Sequence, residues 1–144
     1  MLTTHLDIIT PERVVYSDDV EMVIVPGVEG ELGILPHHAP LFTKVKPGEI
    51  TIKKADKEIY LAITGGFLEV LGNKVTILAD YAIRAEEIEE KMAEEAKRRA
   101  EEAMREKKSK EELVIAEAEL RRALLELRVA RRRKAPKTTI PETS

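Results

Sequence analysis

Two histidines stand side by side, His37 and His38, in the stretch GELGILPHHAP (residues 30–40), framed by Pro36 and Pro40 and preceded by Glu31. Imidazole and carboxylate are the groups that bind metals or move protons, so chemistry is first sought here. A metal centre needs convergent ligands, and neighbouring side chains in extended chain point apart, which leaves only His5 and Glu31 to complete a set. The spacing therefore predicts neither a metal site nor a catalytic residue. With three histidines and no cysteine, no Ser/His/Asp or Cys/His arrangement is expected. The TGG at residues 64–66 lacks the Lys-Ser/Thr ending of a phosphate-cradling loop. The prolines instead remove backbone donors and stiffen the loop, while its glycines permit unusual φ values. The segment is built to hold a shape, either as a rigid inter-strand connection or as a contact surface.

The elements that position this loop can be read from the rest of the 144 residues, which suffice for one compact domain and an appendage. The absence of Cys fits a reducing cytoplasm and offers no thiolate ligands. No apolar run approaches the ~20 residues of a membrane span, and the N-terminus lacks the order of a secretory signal, so a soluble chain without direct membrane insertion is expected. Charge divides the sequence. Residues 1–82 carry 12 acids and 7 Lys/Arg; residues 83–134 carry 14 Glu and 16 Lys/Arg with no Gly or Pro.

Within residues 1–82 apolar side chains recur at period two, the signature of strands with one buried face. Val20, Met22 and Ile24 form one such row, Ile50 and Ile52 another, and Ile59, Leu61 and Ile63 a third. Gly72-Asn73 between FLEVL and VTILA marks a two-residue hairpin. Many short strands without intervening helices predict an antiparallel β-sandwich or flattened barrel, and the whole an α+β chain.

Residues 83–134 predict two helices broken at EKKSKEE, with Ser109 as N-cap and Glu112 completing a capping box. Ala85, Ile88, Met92, Ala96, Ala100 and Ala103 form one stripe; Leu113, Ala116, Leu120, Ala123, Leu127 and Ala130 form its partner. A seam so rich in alanine buries little, at most about 0.8 kcal/mol per methyl, so the antiparallel hairpin is expected to be weakly held. The second helix has a further row, Ile115, Ala118, Leu125 and Val129 with Arg122 inside it, about 200° from the first. That row can pack on the β domain, or on another protein if the hairpin opens. Residues 135–144, with two prolines and no apolar face, are expected to be disordered.

The stretches EGELGILPHHAPLFTKVKPG and YLAITGGFLEVLGNKVTILADYAIRAEEI resemble the epsilon subunit of bacterial F-type ATP synthase, and the likeness runs from His5 to about Arg133. The resemblance implies a non-catalytic central-stalk subunit at the cytoplasmic face of the bacterial cell membrane, one copy per complex, serving ATP synthesis by proton transport. It implies that the sandwich (1–82) docks on the gamma subunit and the membrane-embedded ring of c subunits, with Glu31, Leu32, His38 and Pro40 at the rotor interface. It further implies that the helices (83–134) fold on the sandwich or extend into the catalytic head and inhibit hydrolysis. Arg98, Arg99, Arg121, Arg122 and Arg128 would then face acidic loops of the catalytic β subunits, a contact that salt should weaken.

Some members of that family bind ATP through an I-D-x-x-R-A motif and further arginines. Here the stretch reads IEEKMA (88–93), with Glu89 for the Asp and Met92 for the Arg; Arg99 and Arg122 match basic positions, Glu126 replaces another Arg, and Lys91 substitutes only in part. No cofactor is therefore expected, and ATP binding at Glu89, Arg99 and Arg122 should be weak or absent. The basic run at 131–134 has no aromatic residue after Tyr81 to stack on bases, which argues against nucleic acid; it suits a helix C-terminus or an acidic partner. On composition and periodicity alone, a free-standing adaptor with a binding sandwich and a binding coiled coil is the alternative.

Overall fold

The computed structural model describes residues 2–106 and 109–134; the segment from 135 to 144, expected to be disordered, lies outside the described residues. Ten strands come first: β1 (Thr4–Ile9), β2 (Val14–Val20), β3 (Met22–Gly27), β4 (Gly30–Ile34), β5 (Leu41–Val45), β6 (Gly48–Lys54), β7 (Lys57–Ile63), β8 (Gly66–Leu71), β9 (Lys74–Ala79) and β10 (Ala82–Arg84). A 3-10 turn (Ala85–Glu87) leads into α1 (Glu90–Arg105) and α2 (Lys110–Lys134).

The strands form two layers. One holds β4, β3, β6, β7 and β10, the other β5, β8, β9, β1 and β2, and a single bridge between Gly27 and Val45 joins them. Pairing is antiparallel, as the strand spacing predicts, except that β1 and β9 run parallel. No hairpin dictates their relative direction, since most of the sandwich lies between them in sequence. Between the layers lie Leu6, Ile8, Ile34, Ile50, Ile52, Leu61, Ile63, Leu68 and Ile77, all fully buried. Gly72 and Asn73 both have φ 57°, the left-handed pair of the tight hairpin that the Gly-Asn signal predicts.

One expected row is out of phase. Val20, Met22 and Ile24 do not share a face: Val20, Val23 and Val25 are the buried residues. The chain leaves β2 at Val20, passes through Glu21, whose N–H bonds the Lys53 carbonyl at 2.9 Å, and enters β3 in the other layer. That one-residue crossover inverts the alternation.

The outer edges of the two layers are joined by side chains, not by a ladder. Arg84 donates from Nε to the Val15 carbonyl at 3.0 Å while its guanidinium lies 5.2 Å from the Tyr16 ring centroid. Arg13 makes a two-pronged pair with Glu87 at 2.9 and 3.2 Å, and Lys54 pairs with Asp18. The last residues before the helices thus finish the sandwich.

The helices differ from expectation at their start. Ala85 is buried in the 3-10 turn, α1 begins only at Glu90, and its buried residues are Ala93 and Ala100, while Met92 is 62% exposed. The stripe beginning at Ala85 assumed continuous helical spacing, which β10 and the 3-10 turn interrupt. Ser109 does cap α2, its hydroxyl accepting the Glu112 N–H at 3.3 Å. On α2, Ala116, Ala123, Leu127 and Ala130 are buried; of the second row Leu125 and Val129 pack on Ala62 and Ala85, whereas Ile115 stays 59% exposed. A 25-residue helix is about 37 Å long at 1.5 Å per residue, and its C-terminal half is the part that lies on the sandwich.

Gly66 allows the closest backbone approach in the sandwich: its φ is 154°, and a Cβ there would lie 2.0 Å from the Leu78 carbonyl oxygen. At Gly72 nothing lies within 4 Å of such a Cβ. Gly72→Ala should therefore cost only the left-handed backbone penalty, about 1–2 kcal/mol, while Gly66→Ala should cost more because backbone must move. Urea unfolding of the two variants should place the Gly66→Ala midpoint below that of Gly72→Ala.

Candidate functional site

Three surfaces collect the residues singled out by sequence. The first is a cleft of about 470 Å³ where α1 and α2 meet the end of the sandwich, and it brings together Glu89, Arg99 and Arg122. Met92 also lines it, as do Glu87, Glu119 and Glu126. With Glu87 held by Arg13, three further carboxylates, Glu89, Glu119 and Glu126, line the cleft with two guanidinium groups. Arg122 is already engaged: its guanidinium stacks 3.7 Å above the Tyr81 ring centroid, and its Nε donates to Glu126 Oε1 at 3.2 Å. The Tyr81 hydroxyl donates to the same oxygen at 3.1 Å. Burial, and then the Glu126 charge, push the Tyr81 hydroxyl above its ordinary pKa, so it remains a donor. Burial alone would weaken the hold of Arg122 on its proton, but its bonds to Tyr81 and Glu126 outweigh that and raise it. A nucleotide phosphate fits this lining poorly, because carboxylates outnumber cations and Met92 offers no charge.

The second surface is a groove of about 630 Å³ on the outer side of α2, floored by Leu124, Leu125 and Pro47 and edged by Arg121, Arg122 and Arg128. Arg98 and Arg99 lie apart from it, beside Glu95 and Glu102 on α1. The five arginines are all exposed but do not form one cluster.

The third is the sandwich itself. Glu31 and Leu32 sit on β4 opposite Pro26 and Val25, near its hairpin with β3, whereas His38 and Pro40 lie beyond the other end of β4. The histidine loop is held as its composition predicts. His37 adopts φ 62° and donates its N–H to Asn73 Oδ1 at 2.8 Å; the His38 N–H bonds the Leu35 carbonyl at 3.2 Å. Asn73 also donates from Nδ2 to the Thr3 carbonyl at 3.1 Å, tying loop, hairpin and N-terminus together.

Sequence reasoning missed a feature on the second layer. Phe42 and Phe67, the only phenylalanines, lie outside the core, 68% and 41% exposed, with ring centroids 5.7 Å apart. Phe67 sits opposite Leu78, itself 52% exposed, and Leu78 beside Ile9, so an apolar stripe crosses β5, β8, β9 and β1. Contiguous exposed aromatic and aliphatic surface of this kind is a candidate contact surface. Its signal was the phase of FLEVL, where Leu68 and Val70 point in and Phe67 must point out.

A histidine arrangement was also missed. His5 Nδ1 lies 2.8 Å from Asp19 and Nε2 3.1 Å from Asp7, with Ser17 Oγ 3.4 Å from Nε2. Serine, histidine and aspartate therefore do meet, contrary to expectation, because adjacent strands β1 and β2 place alternate residues on one face. The connectivity is wrong for a nucleophile: the Ser17 hydroxyl donates to Asp7 at 2.6 Å, and the ring sits between two carboxylates. Among the described residues no group of three or more His, Asp or Glu is placed to hold a metal, and no helix is long and apolar enough to cross a membrane.

Comparison with known proteins agrees with this architecture. Residues 3–85 match the beta-sandwich domain of the ATP synthase delta/epsilon chain, and residues 86–131 its long alpha-helix domain. The ATP synthase epsilon chain of Herpetosiphon aurantiacus is 54% identical over 130 residues, 90% of this chain and 96% of the relative. That of Dehalococcoides mccartyi is 50% identical over 138 residues, 94% and 99% of the two chains. A chain in the cryo-EM structure of Euglena gracilis mitochondrial ATP synthase shares the fold with a TM-score of 0.71 at 21% identity, covering 84% of this chain and 77% of that one.

The hydrogen bond to Asp19, working against slight burial, raises the His5 pKa above its ordinary value of 6.5, with Asp7 adding to it. Folding therefore favours the imidazolium: its contribution is complete below about 6.5 and is lost as pH rises through the higher folded value. With the ring 41% exposed, that contribution should stay below about 1 kcal/mol. An NMR titration of His5 should give a midpoint above 6.5, and Asp19→Asn should bring it down.

Proposed function

The chain belongs to the ATP synthase delta/epsilon family, and from that premise we propose that it is a non-catalytic central-stalk subunit that docks through its sandwich and restrains ATP hydrolysis through its helices. The observation that carries this reading is how little fixes the helices to the sandwich. Leu125, Val129, Ala62 and Ala85 are the buried apolar residues of that junction, with Tyr60, Ile83 and Ile88 partly buried against them. Leu125 and Val129 contribute about 1.5–3 kcal/mol each before ordering costs. A partner surface that buries Val114, Ile115 and Leu124, now 62%, 59% and 45% exposed, can compete with that.

In this reading the Phe42–Phe67–Leu78 stripe takes the gamma subunit. Glu31, Leu32, His38 and Pro40 meet the ring of c subunits. When the hairpin opens, Arg98, Arg99, Arg121, Arg122 and Arg128 face acidic loops of the catalytic β subunits; all five are exposed, and Arg122 must first leave Tyr81 and Glu126. The protein then works as one copy per complex in proton-driven ATP synthesis, peripheral to the cytoplasmic face of the membrane, with ATP binding weak or absent.

Hydrolysis by the catalytic head with its gamma subunit tests the proposal, comparing the full chain with one cut after Ile88, which keeps β10 and Arg84 at the seam. The full chain should bind and slow turnover, and the truncated chain should bind without slowing it. If both bind and neither slows turnover, the restraint is wrong; if neither binds, so is the stalk assignment. Phe67→Ser should weaken binding at least tenfold, the effect of about 1.4 kcal/mol expected of a central aromatic contact.

A further inference from the structure

The cleft between the helices and the sandwich contains its own anion. Glu126 Oε1 accepts two hydrogen bonds, from Arg122 on the same helix at 3.2 Å and from the Tyr81 hydroxyl at 3.1 Å. Tyr81 belongs to the turn between β9 and β10, so this oxygen ties α2 to the sandwich. The Glu126 side chain is only 15% exposed although it is charged, and its position is compensated by one cation and one neutral donor. The Arg122 guanidinium is in turn fixed over the Tyr81 ring at 3.7 Å. A guanidinium, a phenol and a receptive cleft of about 470 Å³ are what would recognise a phosphate or carboxylate from outside. Here the recognised carboxylate is covalently part of the chain.

We propose that Glu126 is a built-in ligand of this cleft, fastening the hairpin to the sandwich in place of an external anion and excluding one. Two consequences separate this from an ordinary surface ion pair. Glu126 links residues of two different units, so its loss should loosen the closed form. It also repels a second anion from Arg122, together with Glu89 and Glu119 around the same cleft, so its loss should admit one. The inference rests on the reading of the helices as a movable element, but it concerns the isolated chain and can fail or stand independently of the rotor partners.

The test uses the full chain. Because it has no cysteine, Glu69→Cys on β8 and Glu102→Cys on α1 give a unique spin-label pair spanning sandwich and hairpin. Inorganic pyrophosphate is the probe ligand, titrated calorimetrically and added to the spin-labelled samples. With Glu126 present, the distance distribution should be narrow and unmoved by pyrophosphate, with no saturable heat. Glu126→Ala should broaden the distribution towards longer distances, and pyrophosphate should now bind it with a saturable heat and narrow the distribution again. Tyr81→Phe, which keeps the ring but removes one donor, should broaden it less. Glu126→Gln removes the charge but keeps an acceptor oxygen, so if the alanine variant does not fold it should still admit pyrophosphate while broadening the distribution less. Saturable binding to the parent chain would overturn the proposal. So would variants that neither loosen nor gain affinity, or that loosen without gaining it.

Discussion

Leu125 and Val129 pressed against Ala62 and Ala85 are the contact on which the rest of the molecule's behaviour turns. Each half of the chain has a reason to fold without it: the strands enclose an aliphatic core, and the helices share an alanine seam. The junction between them is small because two of its four buried residues are alanines, which fix helix position by close approach while removing little surface from water. Polar contacts then set the orientation. Arg132 reaches Glu49 on β6 at 3.3 Å, and Tyr81 and Arg122 meet on Glu126, while Arg131 reaches Glu94 at 2.8 Å and joins α2 to α1. The Glu49 and Glu126 carboxylates are each only 15% exposed, so these contacts hold α2 in place as well as orient it.

The sandwich is the opposite case. Its core is filled from both layers by fully buried Ile, Leu and Val, and its open edges are fastened by Arg84 on Tyr16 and Val15, by Arg13 on Glu87 and by Lys54 on Asp18. With aliphatic residues filling the interior, the two phenylalanines are left for the outside, where they stack on each other and extend the apolar surface to Leu78 and Ile9. The sandwich therefore combines a filled aliphatic core with an exposed aromatic stripe, while the hairpin joins it through a small apolar junction.

The sequence by itself determined the two-part division, the period-two strands, the Gly-Asn hairpin and the Ser109 cap, because each depends on residues near one another in the chain. It also placed Glu89, Arg99 and Arg122 in the helical part. It could not show that they share a cleft with Tyr81 and Glu126, since that depends on how α2 lies against the end of β9. Tertiary structure likewise decided the parallel pairing of β1 with β9, the inverted phase after Glu21, and the meeting of His5, Ser17 and Asp19. The first follows from strand neighbours far apart in sequence, the second from a single residue that switches layers, and the third from the register of the consecutive strands β1 and β2. The interior position of Val23 and the exterior position of Phe67 are both apolar residues in apolar runs. Only the layer each strand joins, and hence the direction of its pleat, separates core from exposed surface.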